Sequence, residues 1–138
     1  MKKFAASDVF IAVAAVADFR PKFRSDQKQT KAATGTSLEL EPTVDILKAM
    51  GDRRREGQVL VGFAAETVDL ERKAPAKLVA KGCDWIVGND VSAPGVGMEA
   101  DRNAVTLWNR AGRVGSLGPV AKTEVAKWLL GQVFGEPR

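Results

Sequence analysis

Residues 59–67 read Val59-Leu60-Val61-Gly62-Phe63-Ala64-Ala65-Glu66-Thr67, and this stretch decides the fold. Its first half is apolar and β-branched, the composition of a strand covered on both faces. Small residues around Gly62, Ala64 and Ala65 let backbone approach backbone or ligand. Polar Glu66 and Thr67 follow, and Asp69 is placed to cap a helix. In an open α/β sheet, ligands bind at the carboxyl end of such a strand. An earlier stretch, residues 9–18, repeats the grammar: an apolar run, small residues, then the acid Asp18. Two strands delivering polar groups to one edge predict a single site between them.

Outward from these strands, the pattern predicts a first strand over 8–16. Residues 19–36 then show no period and carry Arg20, Lys22, Arg24, Lys28 and Lys31, which reads either as a loop closing over an anion or as a solvated, disordered connection. Leu38 and Leu40 alternate with Glu39 and Glu41, a half-exposed strand. Thr43 is placed to cap a helix over 44–55, with Ile46, Leu47 and Met50 inward and Gly57 as its stop. A second helix is predicted over 69–81, with Leu70, Leu78 and Val79 inward. Pro75 either kinks it or opens its regular part, and Lys77 and Lys81 share one face. Residues 84–88 form a third buried strand, with Cys83 a small core residue at its mouth. A turn-rich loop over 89–102 follows. Residues 103–109 and 113–117 form a hairpin about Ala111-Gly112, and a closing helix over 121–134 turns Val125, Trp128, Leu129 and Val133 inward. This order predicts an α/β domain spanning 1–138, a parallel sheet with an antiparallel addition.

Composition narrows the chemistry. With 138 residues, 45% hydrophobic and 28% charged, the chain can bury a core. No apolar run reaches the length of a membrane span, and residues 1–6 are too short and polar for a signal peptide. The single cysteine fits a reducing, cytoplasmic setting. There is no histidine and no tyrosine, which removes His-based triads and His-containing zinc sites. Chemistry must rest on Lys, Arg, carboxylates, amides and backbone. The net charge of +4 suits an anionic small molecule. Nucleic acid is not expected, because basic and aromatic residues do not interleave.

Five motifs in order resemble phosphopantothenoylcysteine synthetase, the ligase half of the bacterial bifunctional coenzyme A biosynthesis flavoprotein. They are Ala14-Ala15-Val16-Ala17-Asp18-Phe19-Arg20, Asp45-Ile46-Leu47, Val61-Gly62-Phe63-Ala64-Ala65-Glu66-Thr67, Asn89-Asp90-Val91-Ser92, and Asp101-Arg102-Asn103 leading into Ala104-Val105-Thr106-Leu107. The resemblance implies a Rossmann-like parallel sheet with antiparallel dimerisation strands. It implies CTP-dependent ligation of 4′-phosphopantothenate to cysteine through an acyl-cytidylate, assisted by Mg2+, in a homodimer. FMN would belong to a preceding domain only. By position, the family's CTP contacts fall on Asp18, Lys28, Val44, Asp45, Ile46, Leu47, Phe63, Lys77 and Lys81, and its acyl-cytidylate pocket on Ala15. Lys28 takes the catalytic role, on a mobile flap over 20–36. The pairing strands fall on 37–42 and 103–117.

Departures accompany the resemblance. The family flap carries Lys-x-Lys-Lys, where this chain has Lys28-Gln29-Thr30-Lys31. Val44 stands for the family's proline, and Met98 for an aromatic. The family's glycine-rich βα segment and catalytic asparagine have no match. The chain therefore looks like the C-terminal, CTP-binding part of the synthetase, incomplete alone. The alternative is a catalytically silent nucleotide-binding or dimerisation module.

Overall fold

The structure, a computed structural model, describes residues 2–28, 37–66, 68–90 and 100–135. In chain order its elements are α1 (Lys2–Ala5), β1 (Val9–Ala12), β2 (Phe19–Pro21), β3 (Leu40–Pro42), α2 (Ile46–Gly51), β4 (Val59–Glu66), α3 (Leu70–Lys81), β5 (Trp85–Asp90), β6 (Arg102–Asn109), β7 (Gly112–Ala121) and α4 (Lys122–Phe134). They form two compact units: Met1–Val13 with Leu47–Arg138, and Ala14–Ile46.

The larger unit is built on a five-stranded sheet in the order β1-β4-β5-β6-β7. β1, β4 and β5 are parallel, while β6 and β7 are antiparallel. This is the expected α/β class, a parallel core with an antiparallel extension. The period of two decides which side chains go where. Leu60, Ile86 and Trp108 point to one face, where Met50 of α2 and Ala74 and Leu78 of α3 cover them, with Phe4 of α1 packed alongside. Val61, Val87, Val105 and Leu107 point to the other face, under Val125 and Leu129 of α4. β4 is covered on both faces, as its unbroken apolar run requires.

Polar anchors fix the frame. Gln58 is buried with its amide satisfied: Nε2 donates to the Phe4 and Ser7 carbonyls, and Oε1 accepts from Arg55 N–H. Asp84 Oδ2 accepts from Leu60 N–H at 2.9 Å and from the Arg54 guanidinium at 2.6 Å. These bonds hold the start of β4 against α1 and against the turn before β5.

The smaller unit carries a two-stranded antiparallel ribbon in which Phe19 faces Pro42, Arg20 faces Glu41 and Pro21 faces Leu40. Arg20 pairs with Glu41 at 2.7 Å, and Lys22 pairs with Glu39. Residues 19–21 were expected in a loop. They are a strand because their partner lies some twenty residues on, beyond the reach of a local pattern.

Other boundaries also move. β1 stops at Ala12 instead of running to Val16, and β5 extends through Asn89 and Asp90. The first long helix is only Ile46–Gly51. Thr43 lies three residues ahead of it, and its hydroxyl donates to the Ala17 carbonyl. Pro75 lies inside α3 and neither starts nor ends it. Val79 is 78% exposed, whereas Ala74 takes the inward position. Trp108 is buried because α3 covers its face of β6 too.

Candidate functional site

β4 and the helix that follows it build a polar cluster that includes predicted site residues. Gly62 lies flush in the sheet: a Cβ there would come within 2.7 Å of Ile86 Cδ1 and of Leu47 Cδ2. Leu47, a predicted contact, therefore packs directly on the strand, and Phe63 is half-buried against the α4-side core. Beyond the strand the chain reverses through Asp69, which adopts the left-handed conformation (φ 60°, ψ 41°) before α3 begins. Its carboxylate makes no cap bond and pairs with Arg72 instead.

α3 then runs back along the strand. Lys77 Nζ donates to the Phe63 carbonyl at 3.0 Å, so two predicted contacts meet directly. One turn earlier, Lys73 Nζ pairs with Glu66 Oε2 at 2.8 Å. Lys81 lies one turn later and is half-buried. Residues four apart lie on one helix face, so Lys73, Lys77 and Lys81 make a basic column along α3. The sequence reading named the second and third members and missed Lys73 and the role of Glu66. The signal was the same spacing of four, extended one step toward the N-terminus.

Asp18, Ala15, Lys28, Val44, Asp45 and Ile46 belong to the smaller unit. There the Asp18 carbonyl accepts from Thr43 N–H at 2.8 Å, which sets the base of the ribbon. Ala15, Asp18, Lys28, Val44, Asp45 and Ile46 are all exposed. Of the predicted flap over 20–36, residues 29–36 lie outside the described residues, as do Val91 and Ser92 of the Asn-Asp motif.

Two clefts mark the larger unit. One of about 190 Å3 lies between Leu70 of α3 and the β5-β6-β7 surface, lined by Gly88, Thr106, Ser116 and Gly118. The other, about 440 Å3, lies between the last turns of α3 and the β6-β7 turn, with Cys83 in its wall. Burial pushes the Cys83 thiol up to about 11, and the Asp84 carboxylate acts in the same direction. A neutral, buried thiol is no nucleophile at ordinary pH. Asn89 Oδ1 is buried without a hydrogen-bond partner among the described residues.

A mixed α/β sheet with basic side chains on the helix that follows its central parallel strand defines a class: open-sheet α/β proteins, in which ligands bind at the carboxyl ends of the strands. The chain belongs to the family described as "DNA/pantothenate metabolism flavoprotein C-terminal domain", whose model matches residues 1–135. It is 48% identical over 128 residues to the coenzyme A biosynthesis bifunctional protein CoaBC of Bacillus subtilis, covering 93% of this chain and 31% of the relative. It is 34% identical over 134 residues to a cysteine/cysteine sulfinic acid decarboxylase of an unknown prokaryotic organism, covering 97% and 37%. The crystal structure of the C-terminal domain of a CoaBC protein superposes with a TM-score of 0.73 at 38% identity, covering 96% of this chain and 56% of that one. The family read from the motifs is thus the family matched, and the sheet is the one found in that domain. The chain spans about a third of the length of these two curated relatives.

Proposed function

We propose that this chain supplies the CTP-binding part of a phosphopantothenate–cysteine ligase in coenzyme A biosynthesis. The observation that carries the reading is the Lys77–Phe63 contact, a cation fixed on the backbone of the motif strand in a family whose relatives include coenzyme A biosynthesis proteins. In this reading the 4′-phosphopantothenate carboxylate attacks the α-phosphorus of CTP and pyrophosphate leaves. The cysteine amine then attacks the acyl carbon of the acyl-cytidylate and CMP leaves. Lys77 and Lys81 neutralise phosphate oxygens as charge builds on the departing pyrophosphate. Asp18 accepts hydrogen bonds from the cytosine amine or the ribose. Val44, Asp45, Ile46 and Leu47 line the nucleotide, Phe63 contributes ring and carbonyl, and Ala15 borders the acyl-cytidylate. Lys28 reaches the phosphates when the 20–36 flap closes.

Among the described residues, no three His, Cys, Asp or Glu side chains gather as a metal cage. Magnesium would accompany the nucleotide and add positive charge where the pyrophosphate departs. The domain over 1–138 acts as a homodimer in the cytoplasm, paired through residues 37–42 and 103–117. Among the described residues, no helix is long and apolar enough to cross a membrane.

Isothermal titration with CTP against ATP, followed by a pyrophosphate-release assay, tests the reading. CTP-selective binding with release supports it. Binding without release reduces the chain to a nucleotide-recognising module, and no binding leaves a dimerisation domain. Within the scheme, Lys28→Ala weakens CTP binding more than cytidine binding, and equal losses for both ligands contradict a flap role.

A further inference from the structure

We infer that Lys73 is a third phosphate contact on the α3 column, held ready by Glu66, which tunes the site's affinity for polyphosphate. The inference deepens the CTP reading and rests on it for the identity of the nucleotide. Three observations lead to it. Lys73 stands one turn before Lys77, so it lies nearer the sheet edge on the same face of the helix. Its ammonium is held at 2.8 Å by Glu66, the last residue of β4, with side chains 40% and 24% exposed. The first turn of α3 also carries two cations, Arg72 and Lys73, where the helix dipole disfavours positive charge.

Each of those cations is offset by a carboxylate: Arg72 by Asp69 and Lys73 by Glu66. The two pairs differ in setting. Arg72 and Asp69 are neighbours in sequence and largely solvated. Lys73 and Glu66 join helix to strand end, one helical turn from Lys77, which the Phe63 carbonyl holds. A partly solvated Lys–Glu pair contributes little to stability, so exchanging the carboxylate for a more highly charged phosphate chain is readily reversed. In the bound state Lys73 turns to a phosphate oxygen. Glu66 remains as a nearby negative charge that weakens the hold on polyphosphate and so assists release of pyrophosphate.

The two residues therefore act with opposite sign. Calorimetric titrations of the full chain with CTP, CMP and inorganic tripolyphosphate test this at fixed ionic strength, with thermal melting of every variant as the folding control. Lys73→Ala is expected to weaken CTP and tripolyphosphate by about 5–10-fold and CMP far less, and Lys73→Arg to retain most of the affinity. Glu66→Gln is expected to tighten tripolyphosphate by about threefold. Unchanged polyphosphate affinity in Lys73→Ala, or equal losses for CMP and CTP, overturns the inference. So does weaker binding in Glu66→Gln with an intact melt. If the wild type binds tripolyphosphate without selecting CTP, the ligase reading fails and the tripolyphosphate series decides Lys73 by itself. If it binds neither, both fall.

Discussion

At the residue scale, burial decides what Cys83 does. The thiol is fully enclosed, and its ionisation is raised from 9.0 to about 11 by loss of solvation. The unfolded chain releases this proton at lower pH than the folded one. The resulting stability is complete below pH 9 and is lost as pH rises toward 11. Urea titrations of wild type and Cys83→Ala are expected to show their stability difference shift by about 2 kcal/mol against the wild type across that window. Gly51 is governed by space. A Cβ there would lie 2.0 Å from the Lys81 carbonyl oxygen, a backbone atom that cannot step aside cheaply. Gly51→Ala is expected to cost about 3 kcal/mol or more by prying α2 from the end of α3, read as a lowered denaturation midpoint. Cys83 as a core residue was legible from its setting in the sequence. The need for glycine at 51 was not, because the crowding atom is thirty residues away.

At the element scale, α3 holds the candidate site while containing a residue that weakens helices. Pro75 has no N–H to offer the Glu71 carbonyl, so one rung of the helix is absent. The helix persists because Ala74 and Leu78 are buried against the sheet and Gly82 ends it in the left-handed conformation, its N–H returning to Leu78 and Val79. Packing here overrides propensity, which is why the sequence left two readings for Pro75 open. Pro75→Ala is expected to stabilise the protein by about 1–3 kcal/mol, seen as a rise in melting temperature. A fall would show that the ring's own packing outweighs the missing bond. The basic column was partly legible on this helix. Spacing places Lys77 and Lys81 on one face and the family resemblance names them as contacts, whereas Lys73 acquires meaning only when Glu66 is seen beside it.

At the scale of the whole molecule, the larger unit is held by two apolar layers and by polar contacts that cross between distant segments. Asp84 is the principal cross-tie. It accepts from Leu60 N–H and Arg54, and Arg110 at the β6-β7 turn lies 3.7 Å from its other oxygen. Asp84→Ala leaves a backbone N–H and a half-buried guanidinium without this acceptor. It is expected to cost about 2–3 kcal/mol, measured by chemical denaturation. Asp84→Asn, which keeps an acceptor for Leu60 N–H, is expected to cost less.

The order of residues alone determined the α/β class, the buried central strand, the amphipathic closing helix, the hairpin and the family. These rest on periods of two and 3.6 and on short motifs, all of which are local. Only the tertiary structure decided that residues 19–21 pair with 40–42, that Trp108 faces the helix layer, that Thr43 spends its hydroxyl on Ala17 and that Glu66 holds Lys73. Each of these depends on which distant segment supplies the partner, and a hydrogen bond, an ion pair or an apolar cover is chosen by proximity in space, to which periodicity along the chain is blind.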